Sequence, residues 1–426
     1  MSAALVALMT ISAFAACKGG EAPENPTPDQ DKQENTAFVP KLDTQKEVTI
    51  DIASFFSNFE ALDQVILDFN EFYPNVNIRY EQLNSFVSDF FKNNPGVDIF
   101  MTSNEKGYPV ESCVDLLDAG VDASAARENV ITANKYEGTL YTIPMSLNLK
   151  GIVVNKTLLA NEGLVVPQTM SEFMSVLETL KQKGYTPIQG PNSAVSTLCY
   201  NMGMAMLAND TALLDAAKSG DKAGAAALKS VWDTMKELTD KGYINTEVNA
   251  AYPEDNYDGA IMKFMEGNVP FWVCDTEKVS GMKKRESKSE AFKADPFEYE
   301  FMFAPLGENG AYEYIEPWYG FAVYKDSDVA DYSIEFLRFL ARADELNTLA
   351  SVKGVPSITN SSVDARYINI GKAKAELAVA SDGSVPAAYG TALNSATEGL
   401  LDGTFASADD ALNSFLENCT DTSAEN

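Results

Sequence analysis

The sequence contains no histidine. That removes the side chain that most often serves as a general base near neutral pH, the commonest metal ligand, and every nucleophile that depends on a Ser-His or Cys-His pair. Basic residues are scarce as well. Against 62 Asp and Glu stand 32 Lys and Arg, a net charge of −30, and such a field repels phosphate backbones and anionic headgroups. No nucleic-acid partner is expected, and the charge suits colloidal solubility outside a cell. The five cysteines, at 17, 113, 199, 274 and 419, form no C-x-x-C pair and no metal-ligand spacing. No metal is therefore expected, and the last four read as buried thiols unless an oxidising compartment pairs them. Neither G-x-x-x-x-G-K-[ST] nor G-x-G-x-x-G occurs, so nucleotide binding is unsupported and no cofactor is expected. The run Glu254-Asp-Asn256-Tyr-Asp258-Gly259 hints at a calcium loop, but its twelfth place is Met265 with Glu266 one residue late. A helix start is the better reading. An enzyme would have to work with carboxylates alone, as glycoside hydrolases do with two acids flanking the scissile bond. No segment singles out such a pair, and no catalytic residue is expected.

What is present is a chain of 426 residues, 45% hydrophobic and 22% charged, ordinary for a globular protein. Single cores stop growing at about 250–300 residues, so two lobes are expected. Residues Ala3 to Ala16 form an uncharged apolar run, shorter than the about 20 residues of a membrane-spanning helix and suited to the h-region of a secretory signal. It ends in Phe14-Ala15-Ala16-Cys17, which resembles the lipobox of bacterial lipoproteins. The resemblance implies a signal peptide over 1–16, a diacylglyceryl group on Cys17, and anchoring to the outer face of the cell membrane. From Lys18 to Lys46 the chain is rich in Pro, Glu, Asp, Asn and Gln and cannot bury enough surface to offset the cost of ordering. Residues 17–46 therefore read as a disordered tether, with a root-mean-square reach of roughly 30 Å.

Beyond it, strands and helices alternate. Val48, Ile50 and Ile52 share one face of a strand; Leu62, Val65, Ile66, Phe69 and Phe72 recur at helical spacing until Pro74. Val76–Tyr80 and Val97–Met101 read as further strands, with a short helix around Phe86 to Phe91 between them. Extended segments lie at Thr139–Pro144 and Gly151–Asn155. Thr169 and Glu172 form a capping box at the head of a helix with the stripe Phe173, Val176, Leu177, Leu180, closed by Gly184. Residues 193–265 read as mostly helical, Val269–Cys274, Tyr299–Phe303 and Gly320–Tyr324 as strands, and the remainder to Leu416 as largely helical. Trp232, in a stripe with Leu228, Met235 and Leu238, reads as core. This alternation predicts α/β sheets that bind ligands at the carboxyl ends of their strands.

Several segments, in order, resemble the family 1 extracellular solute-binding proteins, the group of maltose-binding and other sugar-binding lipoproteins. They are Phe69-Asn-Glu-Phe-Tyr-Pro74-Asn-Val76, Val97-Asp98-Ile99-Phe100, Gly138-Thr-Leu-Tyr141-Thr-Ile-Pro144 with Val154-Asn155-Lys156, Gly163-Leu-Val-Val-Pro167-Gln-Thr169 with Glu172, Lys183-Gly184-Tyr185-Thr-Pro187-Ile188, Phe264-Met-Glu-Gly267-Asn-Val-Pro-Phe271 and Tyr319-Gly320-Phe-Ala-Val. The resemblance spans roughly residues 47 to 360. It implies a two-lobed periplasmic-binding-protein-like fold of type II, each lobe a sheet flanked by helices, with a hinge of crossing strands. The lobes would comprise 47–148 plus 301–325 and 149–300 plus 326–426. It further implies a monomer that binds a small solute, a carbohydrate by this reading, and delivers it unchanged to the permease subunits of an ABC importer. A non-sugar solute, a carboxylate-dependent hydrolase and a passive surface adhesin remain alternatives.

Sugars present apolar C–H faces and planar sets of hydroxyls, so their sites need flat aromatics and amide or carboxylate partners. Glu316-Pro-Trp318-Tyr319-Gly320 is the best local candidate, giving Trp318 and Tyr319. Phe55, Phe56 and Asn58 follow the first strand, Ser103 and Asn104 the third; Met145, Ser146 and Asn148 lie by the first crossover. Trp272 and Asp275 belong to the strand after Gly267, Trp272 facing opposite to Phe271 and Val273.

Overall fold

The computed structural model describes residues 37–55, 60–83, 90–102, 110–252, 257–359 and 374–423; apart from Ala37 these lie in the compact unit Phe38–Asn426. The signal segment, Cys17, Phe56, Asn58, Ser103 and Asn104 fall outside the described residues. Twelve strands are present among those described: β1 (Val48–Ser54), β2 (Val76–Gln82), β3 (Ile99–Thr102), β4 (Ile143–Pro144), β5 (Leu147–Asn148), β6 (Lys150–Asn155), β7 (Ile188–Gln189), β8 (Phe271–Asp275), β9 (Tyr299–Met302), β10 (Ala311–Pro317), β11 (Gly320–Val323) and β12 (Ala375–Ala380). They make three sheets of order β2-β1-β3-β11-β4, β7-β8-β6-β9 and β12-β10-β5. In the first, β1, β2 and β3 are parallel and β11 runs antiparallel to β3 and β4. In the second, β7 and β8 are parallel and β6 is antiparallel to β8 and β9.

The apolar periodicities explain the helices that cover these sheets. Leu62, Val65 and Phe69 of the helix Glu60–Asn70 are buried, at the spacing of one helical face. Burying side chains of this size stabilises by about 1.5–3 kcal/mol each. The helix Met170–Gln182 buries the whole expected stripe. Its capping box differs in one bond. The Glu172 amide donates to Thr169 Oγ1 (3.3 Å), but the Glu172 carboxylate accepts from the Gln168 amide (2.7 Å), one residue before the cap. Gly220, with φ of 68°, adopts the left-handed conformation that closes the helix Thr211–Ser219. Trp232 is fully buried and its Nε1 donates to Thr397 Oγ1 at 3.2 Å. Cys113, Cys199, Cys274 and Cys419 are buried thiols; burial pushes Cys113, Cys199 and Cys419 up to about 12.

Four expectations need correction. The tether, expected to reach residue 46, gives way to packed chain by Phe38. That ring lies 5.1 Å from Phe72 and 5.0 Å from Phe339 with the Arg338 guanidinium 4.3 Å above it, and the Lys41 amide donates to Glu335. One aromatic residue in a polar stretch, with backbone bonds from Lys41 and Leu42 to Tyr73, docks it. Residues 326–426, expected together in the second lobe, divide. The helices Ala330–Leu340 and Ala343–Lys353 pack on β1, β11 and the helix Glu60–Asn70, because Phe336 and Phe339 close over Phe69 at 5.2 and 5.5 Å. Residues 301 and 302, expected in the first lobe, pair with Val153 and Ile152 in the second sheet. The last stretch is also less helical than expected, since it contains β12.

The packing of the helices Glu60–Asn70 and Ala343–Lys353 buries a carboxyl. Glu345 is 6% exposed, its Oε2 has no partner, and Arg342 approaches Oε1 only to 3.6 Å. Burial first, then Asp68, Asp344 and Glu71, raise it to about 7 against the pull of Arg342. A carboxyl raised in the folded state binds its proton more tightly there, so it adds stability as pH falls and withholds it above 7. Glu345→Gln is expected to be more stable than wild type at pH 8, with the advantage shrinking between pH 7 and about 4.3. Urea unfolding across that range checks this; a constant difference would contradict it.

Candidate functional site

The chain leaves the first sheet at Pro144 and enters the second at Lys150, so the intervening residues set how the two sheets meet. The Met145 amide donates to the Tyr319 carbonyl (3.1 Å) and the Trp318 amide to the Ser146 carbonyl (2.8 Å). Asn148 then pairs with Glu316 and Leu147 with Pro317 in antiparallel register. Thr276, 1% exposed, holds this segment from the second sheet. The Leu149 amide donates to Thr276 Oγ1 (3.1 Å), that hydroxyl donates to the Leu147 carbonyl (3.4 Å), and the Thr276 amide donates to the Leu149 carbonyl (2.9 Å). Gly320 lets β4 approach β11, for a Cβ there would stand 2.4 Å from the Ile143 oxygen.

On the first-sheet side of the crossing lie aromatics. Phe55 follows β1, and its ring centroid is 4.8 Å from that of Tyr319, which is 5.8 Å from Trp318. All three are partly exposed. Met145 and Ser146 sit beside them but are 2% and 3% exposed, so in this conformation they hold the crossing through their backbones.

On the second-sheet side lies a polar rim. Lys150, which begins β6, stands opposite Asp275, which ends β8. Its Nζ is 2.5 Å from Glu316 Oε1 and 3.7 Å above the Tyr200 ring, while the Tyr200 hydroxyl donates to Glu316 Oε2 at 2.9 Å. Asn201 Nδ2 donates to the Lys150 carbonyl at 2.7 Å. Asp275 caps the helix Thr276–Glu286, Oδ1 accepting from the Lys278 amide at 3.0 Å. Burial pushes the neighbouring Glu277 carboxyl up against the opposing pull of Lys278. The oxygens Asn148 Oδ1 and Asn201 Oδ1 are buried without a partner. A cavity of about 230 Å³ opens here, with Lys150, Ser193, Thr197, Trp272, Asp275 and Lys278 in its walls. Gly190 shapes it, since the turn into Pro191 passes so close to β8 that a Cβ would stand 3.1 Å from the Val273 oxygen. Trp272 is 1% exposed and stacks on Phe264 at 5.4 Å, on the face of β8 opposite to Phe271 and Val273 as the alternation predicts.

The structure thus gathers Phe55, Asn148, Trp318 and Tyr319 around one crossing and Trp272 and Asp275 around the cavity beside it. Lys150, Tyr200, Asn201, Ser193, Thr197 and Lys278 were missed. Lys150 and Glu316 flank the two crossing segments and were within reach of the sequence argument; Tyr200 and Asn201 sit in a helical stretch with no local signal. Among the described residues no group of three or more acidic or cysteine side chains is placed to hold a metal ion, and no helix is long and apolar enough to cross a membrane.

The profile of the family described as bacterial extracellular solute-binding protein matches residues 68–378. The multiple sugar-binding protein of Streptococcus mutans serotype c (strain ATCC 700610 / UA159) is 40% identical over 57 residues, which cover 13% of this chain and 14% of that protein. Among solved structures, a sugar transporter from Bacillus licheniformis in complex with stachyose is similar at a TM-score of 0.58 and 19% identity, over 87% of this chain and 98% of that one. The GacH receptor of Streptomyces glaucescens, solved unliganded and with acarbose, is similar at 0.63 and 18%, over 89% and 98%. At these identities the likeness is one of fold, a two-lobed α/β architecture.

Glu316 joins Lys150 and Tyr200 in a partly buried cluster, so its charge contributes to stability. Glu316→Gln is expected to lower the free energy of unfolding by about 1.5–3 kcal/mol, the range for hydrogen bonds to charged groups, and Tyr200→Phe by about 1 kcal/mol. Urea unfolding measures both; a Glu316→Gln protein as stable as wild type would contradict the cluster.

Proposed function

The chain belongs to the bacterial extracellular solute-binding protein family, a family of solute carriers rather than enzymes, and from that premise we propose that it captures a carbohydrate at the crossing and releases it unchanged to an ABC permease. The first lobe comprises the first sheet with its helices, and the second lobe the other two sheets with theirs. Cys17 carries the lipid that holds the protein to the outer face of the membrane, and the residues that follow serve as the tether.

The observation that carries this reading is the pairing of two kinds of surface. Partly exposed Phe55, Trp318 and Tyr319 offer flat faces for sugar C–H groups. The rim beside them offers Lys150, Glu316, Asp275 and the orphaned Asn148 oxygen as partners for hydroxyls. Neither surface alone would distinguish a sugar from an apolar or an ionic solute. The stachyose and acarbose complexes of proteins with the same fold support the same class of ligand. Solute that touches both walls favours the closed arrangement of the lobes, so part of the binding energy goes into closure. A Kd near 1 μM, equivalent to about −8 kcal/mol, suits a scavenging receptor.

A thermal-shift screen over mono- and oligosaccharides, amino acids and polyamines tests the proposal. A saturable stabilisation by an oligosaccharide is expected, about 2.7 kcal/mol when the sugar is at 100 times its Kd. Trp318→Ala should lose it while keeping the far-ultraviolet circular dichroism of wild type. Stabilisation by amino acids alone would sink the carbohydrate assignment.

A further inference from the structure

The cavity beside the crossing contains an unsatisfied donor. Trp272 Nε1 has no hydrogen-bond partner although the residue is 1% exposed. An indole N–H can only donate, and a buried donor left unmade costs about 1–3 kcal/mol. The fold does satisfy such a group elsewhere: the equally buried Trp232 donates to Thr397 Oγ1 at 3.2 Å. The difference lies in what surrounds the two rings. Trp232 is enclosed by helices, with Phe415 5.6 Å away. Trp272 has Phe264 behind it and forms part of the cavity wall. Its Cδ1, the carbon bonded to Nε1, lies 3.6 Å from where a Gly190 Cβ would stand, next to Pro191, another wall residue. The pyrrole edge that carries the N–H therefore packs against the Gly190–Pro191 turn, which bounds the cavity and covers Nε1 in this conformation.

Size limits the occupant. At about 230 Å³, the cavity falls short of the about 300–1,000 Å³ typical of pockets that enclose drug-sized ligands, and it corresponds to roughly seven or eight waters at about 30 Å³ each. That is room for one sugar ring with its hydroxyls and not for a chain. Val273 and Cys274, 0% and 5% exposed, line it together with Lys150, which adjoins the crossing, so the wall nearest the crossing is the side from which a longer solute would extend.

We propose that the cavity is a blind subsite for the terminal ring of the solute, and that one oxygen of that ring accepts from Trp272 Nε1. The inference rests on the carbohydrate reading and adds to it a direction, one chain end inserted into the second lobe, and a specificity-determining residue. Lys150 and Asp275 in the same walls meet the remaining hydroxyls.

Nuclear magnetic resonance of protein carrying ¹⁵N-labelled tryptophan tests this directly, since the chain has three tryptophans and the resonance absent from Trp272→Phe is that of Trp272. Wild type is titrated with stachyose, raffinose, maltotriose and glucose. The Trp272 N–H resonance is expected to move downfield and to exchange more slowly with solvent at saturation. Calorimetry of Trp272→Phe should show about tenfold weaker binding of the same sugar, the size of one hydrogen bond. If Trp272→Phe does not fold, Trp232→Phe and Trp318→Phe assign the other two resonances, the remaining one is that of Trp272, and the wild-type titration decides. A sugar that binds and shifts the Trp318 resonance while leaving Trp272 unmoved would overturn the subsite and spare the carbohydrate reading. Failure of all four sugars to perturb any tryptophan would overturn both.

Discussion

The organisation of this molecule depends on a short antiparallel contact, Asn148 against Glu316 and Leu147 against Pro317. Through it the chain passes out of the first sheet and back, and its neighbours on either side are the first residues of each sheet's rim. Because β1 and β4 end, and β11 begins, on one side of that contact, Phe55, Met145 and Tyr319 have no freedom to lie elsewhere. Because β6 begins and β8 ends on the other side, Lys150 and Asp275 are opposed in the same way. Thr276 locks the connection, its hydroxyl and amide occupying polar backbone groups of Leu147 and Leu149 that would otherwise be buried and unpaired.

Such an arrangement separates two tasks. The backbone bonds of the crossing fix the geometry, and the side chains around it form the partly exposed surface beside it. Met145 and Ser146 illustrate the first task, Trp318 and Tyr319 the second. The Lys150–Glu316–Tyr200 cluster connects them, since Glu316 belongs to the crossing and Lys150 to the cavity wall. A solute that engages this cluster would act on the crossing itself, which is where a change in the angle between lobes has to originate.

Much of this was legible from the sequence, for physical reasons that can be named. Residues β1 to β3 and the helix Glu60–Asn70 have one buried face each, so periodicity reports them. Trp232 and Trp272 were separable by the same means, one in a helical stripe and one alternating in a strand. What escaped depends on distant partners. The segment Ala375–Ala380, in which helix-favouring Ala, Glu and Leu outnumber the single β-branched Val379, is a strand because β10 offers it an edge, and pairing overrides propensity. The helices after β11 were misassigned because Phe336 and Phe339 show which face is apolar but not which core receives it. Of the residues around the crossing, those next to recognisable strand ends could be named from the sequence. Tyr200 and Asn201 were not, because their roles come from Lys150 and Glu316, far away in sequence.

The central claim is that two lobes close around a sugar and leave it unaltered. Small-angle scattering, with and without a saturating oligosaccharide, coupled to chromatography of the recovered sugar, tests it most directly. The account predicts a smaller radius of gyration in the complex and an intact sugar. An unchanged radius at saturation, or a cleaved sugar, would contradict it.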